Sequence, residues 1–352
     1  MNLNHQNDTG SSSAGIEVAG TETWVPRKTD PLLKPYEPCT FEVPHDAAWM
    51  TCDGRARISG SEHGRWIIER ACAAFCEIHP QIAFDIDLRG TPSAMAFLMN
   101  GQAMFSVMGR EITPVETVPY TKLIGAPAMA VRVAHTAEET SQHLATSLAV
   151  YVHRDNPLER LDRTQISKIF SIGNPSGDYS RWSQLGLHGQ WSNRLIHPIG
   201  TPEFTGFGTY MQAHLLNGRP LSPLYEHYVG TGAVLGRLAQ DRAGVAVAAL
   251  GCETADIRQV PVSMNPQAPT SLGSTGDVRS NSYLFGRFLY FYVPQKPSMP
   301  LDPVLREYLR FVLSAEGQAI IAAQPGGYIP LSQEEAAVER AKLDRVLVQE
   351  GN

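Results

Sequence analysis

The sequence predicts an α/β fold arranged in two lobes. Segments that alternate apolar and polar residues, as β-strands do, are followed repeatedly by segments with the three-to-four spacing of a buried helical face. This order is typical of mainly parallel sheets covered by helices. The 352 residues are more than twice the ~150 residues of an average domain, and 43% of them are hydrophobic, so two lobes and at least one substantial core are expected.

The composition argues against two broad classes of protein. The 29 Lys and Arg residues are outnumbered by 35 Asp and Glu residues, the net charge is -6, and no dense basic run is present, so a nucleic-acid-binding protein is not expected. No apolar stretch approaches the ~18 residues that a membrane-spanning helix needs. Residues 1–20 have neither the basic start nor the apolar centre of a signal peptide, so the residues alone leave the compartment open.

The five cysteines do not predict a disulfide scaffold or a metal site. Cys39 and Cys52 would close a short loop if the compartment is oxidising, which the sequence leaves undecided. Cys72 and Cys76 share one face of a predicted helix, and we interpret them as small core residues rather than a redox or metal pair. The chain has no Cys-x-x-Cys motif, and its 11 histidines lack ligand spacing, so no metal and no cofactor is expected.

The elements of the first half follow from local patterns. Residues 1–54 are rich in Pro, Thr and Asp with little periodicity, which predicts a flexible tail and an irregular arm. A helix is predicted over 65–78 from apolar residues at helical spacing, namely Trp66, Ile67, Ala71, Phe75 and Ile78. The remaining predictions here are strands at 56–59, 82–88 and 127–133 and helices beginning at Thr91-Pro92 and at the capping box of Thr113 and Glu116.

The second half continues the alternation. A further capping box is predicted at Thr136 and Glu139, and residues 264–284 form a link rich in Pro, Ser and Gly. The predicted strands are 147–153, 245–250, 257–262 and 288–293. The predicted helices are 164–170, 206–216, 232–241, 303–314, 315–323 and one capped by Ser332 and Glu335.

Three strand-to-helix turns carry small polar residues: Gly60–His63, Gly90–Ser93 and Thr205–Gly208. In an open α/β sheet such turns lie at the carboxyl ends of strands, where ligands bind, and the helix starts offer unpaired N–H groups to an anion. The hydroxyls that could add to those donors belong to Ser61, Thr91, Ser93 and Thr205. The alternative is that these side chains only cap helices.

No catalytic motif is present: there is no nucleophile elbow, phosphate loop or dinucleotide fingerprint. Glu62 beside His63 suggests an acid/base pair, but an exposed polar pair is the favoured interpretation, and no enzyme is predicted. Arg110 follows a possible strand and is a candidate anion contact, unless it pairs with a neighbouring glutamate. Trp182 and Trp191 predict a folded loop that packs both rings.

The order of segments resembles the phosphate-binding proteins of bacterial ABC importers, in a shorter, divergent branch. The resemblance covers about residues 55–332 and rests on SLAVYVHRDNPLERLDRTQISKIFS, RWSQLGLHGQW, GRFLYFYV and REYLRFVLSAEGQAIIAAQPGGYIPL. It implies a two-lobed type II periplasmic binding protein fold whose two hinge-crossing strands would be SLAVYVH and FLYFYV. Lobe 1 would hold 55–154 and 263–352, and lobe 2 would hold 155–262.

The resemblance also implies a function. Such proteins are periplasmic, close by a hinge motion on a small anionic or polar solute and hand it to a membrane permease without chemistry. No nucleic acid takes part, and a monomer is expected.

The ligand loops match the family's pattern unevenly. Gly60–His63 stands where the family has Gly-Ser-Gly-Thr or Gly-Ser-Asp-Thr, and Arg110 retains the arginine of the family's Ser-Arg. Thr201 replaces a second arginine, and Phe207 replaces the last hydroxyl of the fourth loop. The resemblance thus implies a ligand set of Ser61, Glu62, His63, Thr91, Ser93, Arg110, Thr201, Thr205 and Gly206.

These departures bear on the ligand. A buried dianion needs many donors and a cation, so the loss of an arginine and the proximity of Glu62 and Glu203 work against phosphate. The expectation is therefore phosphate or another small oxyanion or polar solute. The alternative is a sensor or interaction module with a degenerate cleft filled by Phe204 and Phe207.

Overall fold

The computed structural model of the protein describes residues 26–136, 147–325 and 327–345. Within these ranges the chain forms two main mixed sheets with separate hydrophobic cores, which confirms the predicted two-lobed α/β fold. The first core draws on residues 33–134 and 288–343, and the second draws almost entirely on residues 148–285.

The helices and strands, in chain order, fall into three stretches. The first stretch forms β1 (Ala56–Gly60), α1 (Arg65–Ile78), β2 (Phe84–Asp87), α2 (Thr91–Met99), β3 (Phe105–Met108), α3 (Pro114–Ile124) and β4 (Met129–His135). The middle stretch forms β5 (Leu148–His153), β6 (Leu161–Asp162), α4 (Arg163–Phe170), β7 (His197–Gly200), α5 (Gly206–His214), β8 (Glu226–His227), α6 (Thr231–Ala239), β9 (Gly244–Ala249), β10 (Ile257–Val260) and β11 (Val262–Ser263). The last stretch forms α7 (Thr275–Arg279), β12 (Phe288–Val293), α8 (Pro303–Val312), α9 (Ala315–Ala322), β13 (Ile329–Pro330) and α10 (Gln333–Leu343). Glu139, the second half of one predicted capping box, lies outside the described residues.

The two lobes share one topology. In the first sheet the strand order is β13-β4-β12-β3-β1-β2, and β1 pairs parallel with β2 and β3. In the second the order is β10-β5-β9-β7-β8, and β7 pairs parallel with β8 and β9. Each lobe therefore contains three parallel strands whose first member lies between the second and the third. This arrangement places a ligand crevice at the carboxyl ends of the strands.

The prediction of mainly parallel sheets is wrong. Strand β12 pairs antiparallel with β3 and β4, and β5 pairs antiparallel with β9 and β10. Both strands consist entirely or almost entirely of buried residues, so their apolar runs resemble those of parallel strands. A run that is apolar on both faces identifies a central strand but carries no information about direction.

The two strands predicted to cross between the lobes each lie in a single sheet. Strand β5 belongs to the second sheet and β12 to the first, so the lobe boundaries at 154 and 263 need correction. Residues 148–152, 278 and 283–285 pack in the second core. The chain changes sheets beside these strands: the Thr136 N–H donates to the Arg287 carbonyl at 2.9 Å, and the Thr136 and Ser147 hydroxyl oxygens are 3.0 Å apart.

The arm before β1 is irregular, as predicted, but residues 26–54 pack on the first lobe. Leu33 is buried in the first core, and the Tyr36 hydroxyl donates to Glu307 Oε1 at 2.7 Å. The Cys39 N–H donates to the same oxygen at 2.9 Å. Glu307 is itself only 2% exposed, so this carboxylate anchors the arm from inside the lobe.

The tryptophan and cysteine side chains that were predicted to have structural roles lie in or next to the two cores. The rings of Trp182 and Trp191 are buried and lie edge to face at 6.0 Å. Burial raises the pKa of the Cys72 thiol to about 12, as befits a core residue. Cys39 and Cys52 are free thiols. Across the described ranges, no helix is long and apolar enough to cross a membrane, and no three His, Cys, Asp or Glu side chains cluster as a metal site would require.

Candidate functional site

The carboxyl ends of the parallel strands from both lobes face one cavity of about 1230 Å³. The first lobe contributes the loops after β1, β2 and β3, and the second contributes those after β7, β8 and β9. From the predicted ligand set, the wall contains Glu62, His63, Thr91, Arg110, Thr201, Thr205 and Gly206. Ser61 and Ser93 are absent from the wall.

The loop after β1 is held tightly against β3. The Ser61 N–H donates to the Val107 carbonyl at 2.8 Å, and the Ser61 side chain is fully buried. At Gly60, where φ is +124°, an added Cβ would lie 2.2 Å from that carbonyl oxygen, so only glycine allows this approach. The loop therefore buries Ser61 behind the wall and presents Glu62 and His63 to the cavity.

The loop after β2 presents Thr91 but not Ser93. The Gly90 N–H donates to the Gly60 carbonyl at 2.9 Å, which ties this loop to the first one. The Ser93 hydroxyl donates to the Gly90 carbonyl at 2.8 Å and so closes the first turn of α2. The prediction that Ser93 binds the ligand is therefore corrected, and its hydroxyl has the local role that the sequence left open as an alternative.

Arg110 is buried and forms a bidentate ion pair. Its Nη1 and Nη2 lie 2.8 and 2.9 Å from the two carboxylate oxygens of Glu116. Burial alone would raise the pKa of Glu116, but hydrogen bonds from Arg110 and Thr113 outweigh it and lower that pKa. The guanidinium borders the cavity, and because it is already neutralised by Glu116 it offers a ligand less positive potential than a free arginine would.

The loop after β7 is organised around Thr205. Its hydroxyl accepts from the Gly208 N–H at 3.0 Å and lies 2.7 Å from the Pro202 carbonyl, so it caps α5. Thr201 is buried beside it, with its hydroxyl oxygen 2.9 Å away. Both residues border the cavity, but the Thr205 hydroxyl is engaged in the cap, as the alternative interpretation proposed.

Two expectations about this loop are wrong. Glu203 lies off the cavity wall, where its carboxylate accepts from Gln212 Nε2 at 2.7 Å, so it does not repel an anion in the cleft. Phe204 is 77% exposed at the rim, and Phe207 lines the wall beside a remaining open volume. The two rings therefore do not fill the cleft, which argues against a degenerate site.

Arg287, which no sequence pattern singled out, is 3% exposed and also borders the cavity. Its guanidinium carbon lies 5.2 Å from the ring centre of Phe207 and 5.0 Å from that of Tyr210. Burial lowers its pKa from the ordinary arginine value. The signal in the sequence that could have identified it is its position as a single arginine directly before the apolar run of β12.

The second lobe also supplies α6, which sequence analysis did not associate with the site. Gly230, Thr231 and Gly232 at its start and Leu235 and Gly236 further along all border the cavity. Helices α2, α5 and α6 thus all begin at the wall, and helix N-termini offer N–H groups and positive potential to an anion.

The two lobes touch beside the cavity. His214 Nε2 of the second lobe lies 3.2 Å from Glu111 Oε2 of the first, and Tyr290 donates its hydroxyl to Glu111 Oε1 at 2.6 Å. Burial alone would raise the pKa of Glu111, but the bonds from His214 and Tyr290 outweigh it and lower that pKa to about 2. On the cavity wall itself, Thr91 Oγ1 lies 4.0 Å from the position of a Cβ at Gly206.

The two lobes share one topology and meet around a cavity that is lined by the ends of their strands. This arrangement defines a protein that binds its ligand in a cleft between two lobes. The chain belongs to the PBP superfamily, because the family model described as a PBP superfamily domain matches residues 46–316. This confirms the resemblance found in the sequence.

The chain is also similar to individual proteins. The phosphate-binding protein PstS of Pseudomonas aeruginosa is 29% identical over 257 residues, covering 72% of this chain and 76% of its own. The crystal structure of an ABC-type phosphate transport receptor from Vibrio cholerae has a TM-score of 0.56 at 17% identity, with 78% of this chain and 99% of that chain covered. PstS from Borrelia burgdorferi gives 0.53 at 17%, with 79% and 98% covered. The two structures support the fold.

Proposed function

We propose that the protein is an extracytoplasmic solute-binding protein that holds phosphate or another small oxyanion in the interlobe cleft and delivers it to an ABC permease. The observation that carries this proposal is the convergence of three helix N-termini from two lobes on one cavity whose wall includes buried Arg287. Such a site supplies backbone donors and a cation together, which is what a desolvated anion needs.

The relatives support the ligand class and the partner. The Pseudomonas protein is named as phosphate-binding, and the Vibrio protein is described as a phosphate transport receptor. Delivery to a permease and a location outside the cytoplasm are parts of this proposal, and that likeness supports them. The function requires binding and release but no bond chemistry, so Glu62 and His63 act as wall residues rather than as an acid/base pair.

The proposal is tested by titrating the purified protein with phosphate, sulfate and acetate in a calorimeter. Small-angle X-ray scattering on the same samples measures whether the radius of gyration falls on binding, as closure of two lobes requires. We expect saturable heat and compaction with phosphate or sulfate and neither with acetate, which lacks a tetrahedral head. Absence of both signals with every anion would refute the proposal.

A further inference from the structure

The interlobe cavity is larger than a single small oxyanion requires. Its volume is about 1230 Å³. Pockets that enclose drug-sized ligands measure about 300–1,000 Å³. Wide separation of the lobes does not account for this space, since they touch at Glu111 and His214 and approach each other at Thr91 and Gly206. The room is therefore a property of the wall.

The additional room lies along the second lobe, where the wall is apolar. Leu235 and Ala239 of α6 face the cavity together with Ala249 at the end of β9 and Ile257 at the start of β10. These side chains offer no hydrogen bonds to an inorganic anion. They do offer favourable burial to a hydrocarbon group, because apolar surface removed from water stabilises a complex.

Helix α6 leaves space on the same face. Gly232 and Gly236 are one turn apart and both border the cavity. A Cβ added at either position would meet no heavy atom within 4 Å, and neither backbone is in the left-handed region. Packing and conformation therefore do not demand glycine, although glycine weakens a helix relative to alanine.

The charges of the wall point in the same direction. Arg110 is paired with Glu116, and Arg287 lies buried at the wall beside Phe207, close to the start of α5. Glu62 of the first lobe and Glu253 of the second lobe also border the cavity, and both disfavour additional anionic groups on the ligand. A ligand with one compact anionic end and one uncharged end fits this distribution better than a highly charged molecule does.

We propose that the preferred ligand is a tetrahedral oxyanion that carries a small apolar substituent, with its head near Arg287 and the start of α5 and its substituent along the Gly232–Gly236 face of α6. Both a phosphonate and a phosphate monoester have this chemistry. The inference rests on the proposed oxyanion-binding function and specifies its substrate class.

Calorimetric titration of the full chain with inorganic phosphate, butylphosphonate, phenylphosphonate and phenyl phosphate tests the inference. We expect at least one substituted anion to bind at least tenfold more tightly than phosphate. The phosphonates and the ester differ in the atom that joins head and substituent, so their order identifies the source. Phosphate binding as tightly as every substituted anion would overturn the inference while leaving the proposed function intact. If no anion binds, both fail.

A variant locates the substituent. Gly236→Leu places a side chain in the open space along α6, and we expect it to lower the preference for the substituted anion over phosphate at least tenfold. Gly276→Leu, at an exposed helical glycine outside the cavity, is the matched control. Gly236→Ala, which improves helix propensity, serves if the leucine variant misfolds, with a smaller loss of preference expected. A preference unchanged in both folded variants would refute this placement.

Discussion

At the scale of single residues, Arg287 connects the halves of the molecule. Its carbonyl accepts the Thr136 N–H at the end of the first lobe's β4 strand, and its guanidinium lies against Phe207 and Tyr210 of the second lobe. Planar contacts of this kind suit arginine better than lysine, because a guanidinium stacks on rings and an ammonium does not. The same group borders the cavity, so it is placed to contact both the anion of the proposed function and the junction between the lobes.

Replacing Arg287 should weaken anion binding strongly. A hydrogen bond to a charged group contributes about 1.5–3 kcal/mol, so we expect Arg287→Gln to lower affinity roughly 10- to 100-fold. Arg287→Lys should recover part of it by retaining the charge. Calorimetry with phosphate measures both variants, and circular dichroism checks their folding. Arg70→Gln is the control, because it removes an exposed arginine that stacks on Trp66 away from the cleft. Equal affinity of Arg287→Gln and wild type would contradict a direct role in anion binding.

Glu307 matters for stability rather than for ligand binding. Its buried carboxylate holds the arm through Tyr36 and Cys39, so Glu307→Gln should reduce the free energy of unfolding by about 1–3 kcal/mol. Urea denaturation measures this loss, and exposed Glu37→Gln provides the comparison. Faster cleavage of the arm by a protease should accompany it. A variant as stable and as resistant as wild type would show that the arm is held elsewhere.

Individual site residues could be predicted only in part. The turn patterns correctly indicated that Glu62, His63, Thr91 and Thr205 would lie near strand ends. They could not show that Thr91 faces the cavity and Ser93 does not, because both hydroxyls lie at the start of the same helix. Only the folded backbone determines that the Ser93 hydroxyl donates to a neighbouring carbonyl. Arg287 was missed because its place beside the cavity depends on contacts with residues about 80 positions earlier in the chain.

At the scale of elements, periodicity predicted well where one face of a segment is buried. The helix predicted at 65–78 and the strand predicted at 288–293 match α1 and β12 residue for residue. The partners and directions of the strands were not predictable in the same way, because pairing is set by contacts distant in sequence. The irregular arm had no periodic pattern, and its packing on the lobe depends on buried acceptors such as Glu307.

The joint between β1 and β3 gives a test at this scale. Gly60→Ala would bring a Cβ to 2.2 Å from the Val107 carbonyl oxygen, in addition to straining a backbone with φ of +124°. Strain and overpacking each cost about 1–3 kcal/mol, so we expect a loss of about 2 kcal/mol or more in the free energy of unfolding. Gly54→Ala separates the two effects, since its φ is +78° and its Cβ would meet nothing within 4 Å. Equal losses in the two variants, measured by urea denaturation, would remove the steric explanation.

At the scale of the whole molecule, the two lobes repeat one topology without an evident repeat in the sequence. Each directs three parallel strand ends toward the cavity, and helices follow all three strands in the first lobe and two of the three in the second. The chain changes sheets after β4 and again before β12, and Thr136, Ser147 and Arg287 lie together beside these two points. The resemblance identified these regions, but not which sheet takes each adjoining strand, because register and sheet membership are long-range properties.

The contact between Glu111 and His214 predicts how the joined lobes respond to acid. The pKa of Glu111 is lowered to about 2 in the folded chain, against about 4.3 for an ordinary glutamate. A lowered carboxyl pKa stabilises the protein fully above the ordinary value, and that stabilisation is lost as the pH falls from there toward 2. Wild type should therefore be more stable than Glu111→Gln at pH 7, and the difference should shrink below about pH 4.3.

Urea denaturation between pH 7 and pH 3 measures this difference, with exposed Glu77→Gln as the matched control. In a His214→Ala background the effect of Glu111→Gln should be smaller, because the partner across the lobes is gone and only the Tyr290 bond remains. X-ray scattering of the single variants should show a larger radius of gyration at pH 7, since each removes a contact that holds the lobes together. A stability difference that stays constant with pH, or that is the same with and without His214, would mean that this pair does not couple the two lobes.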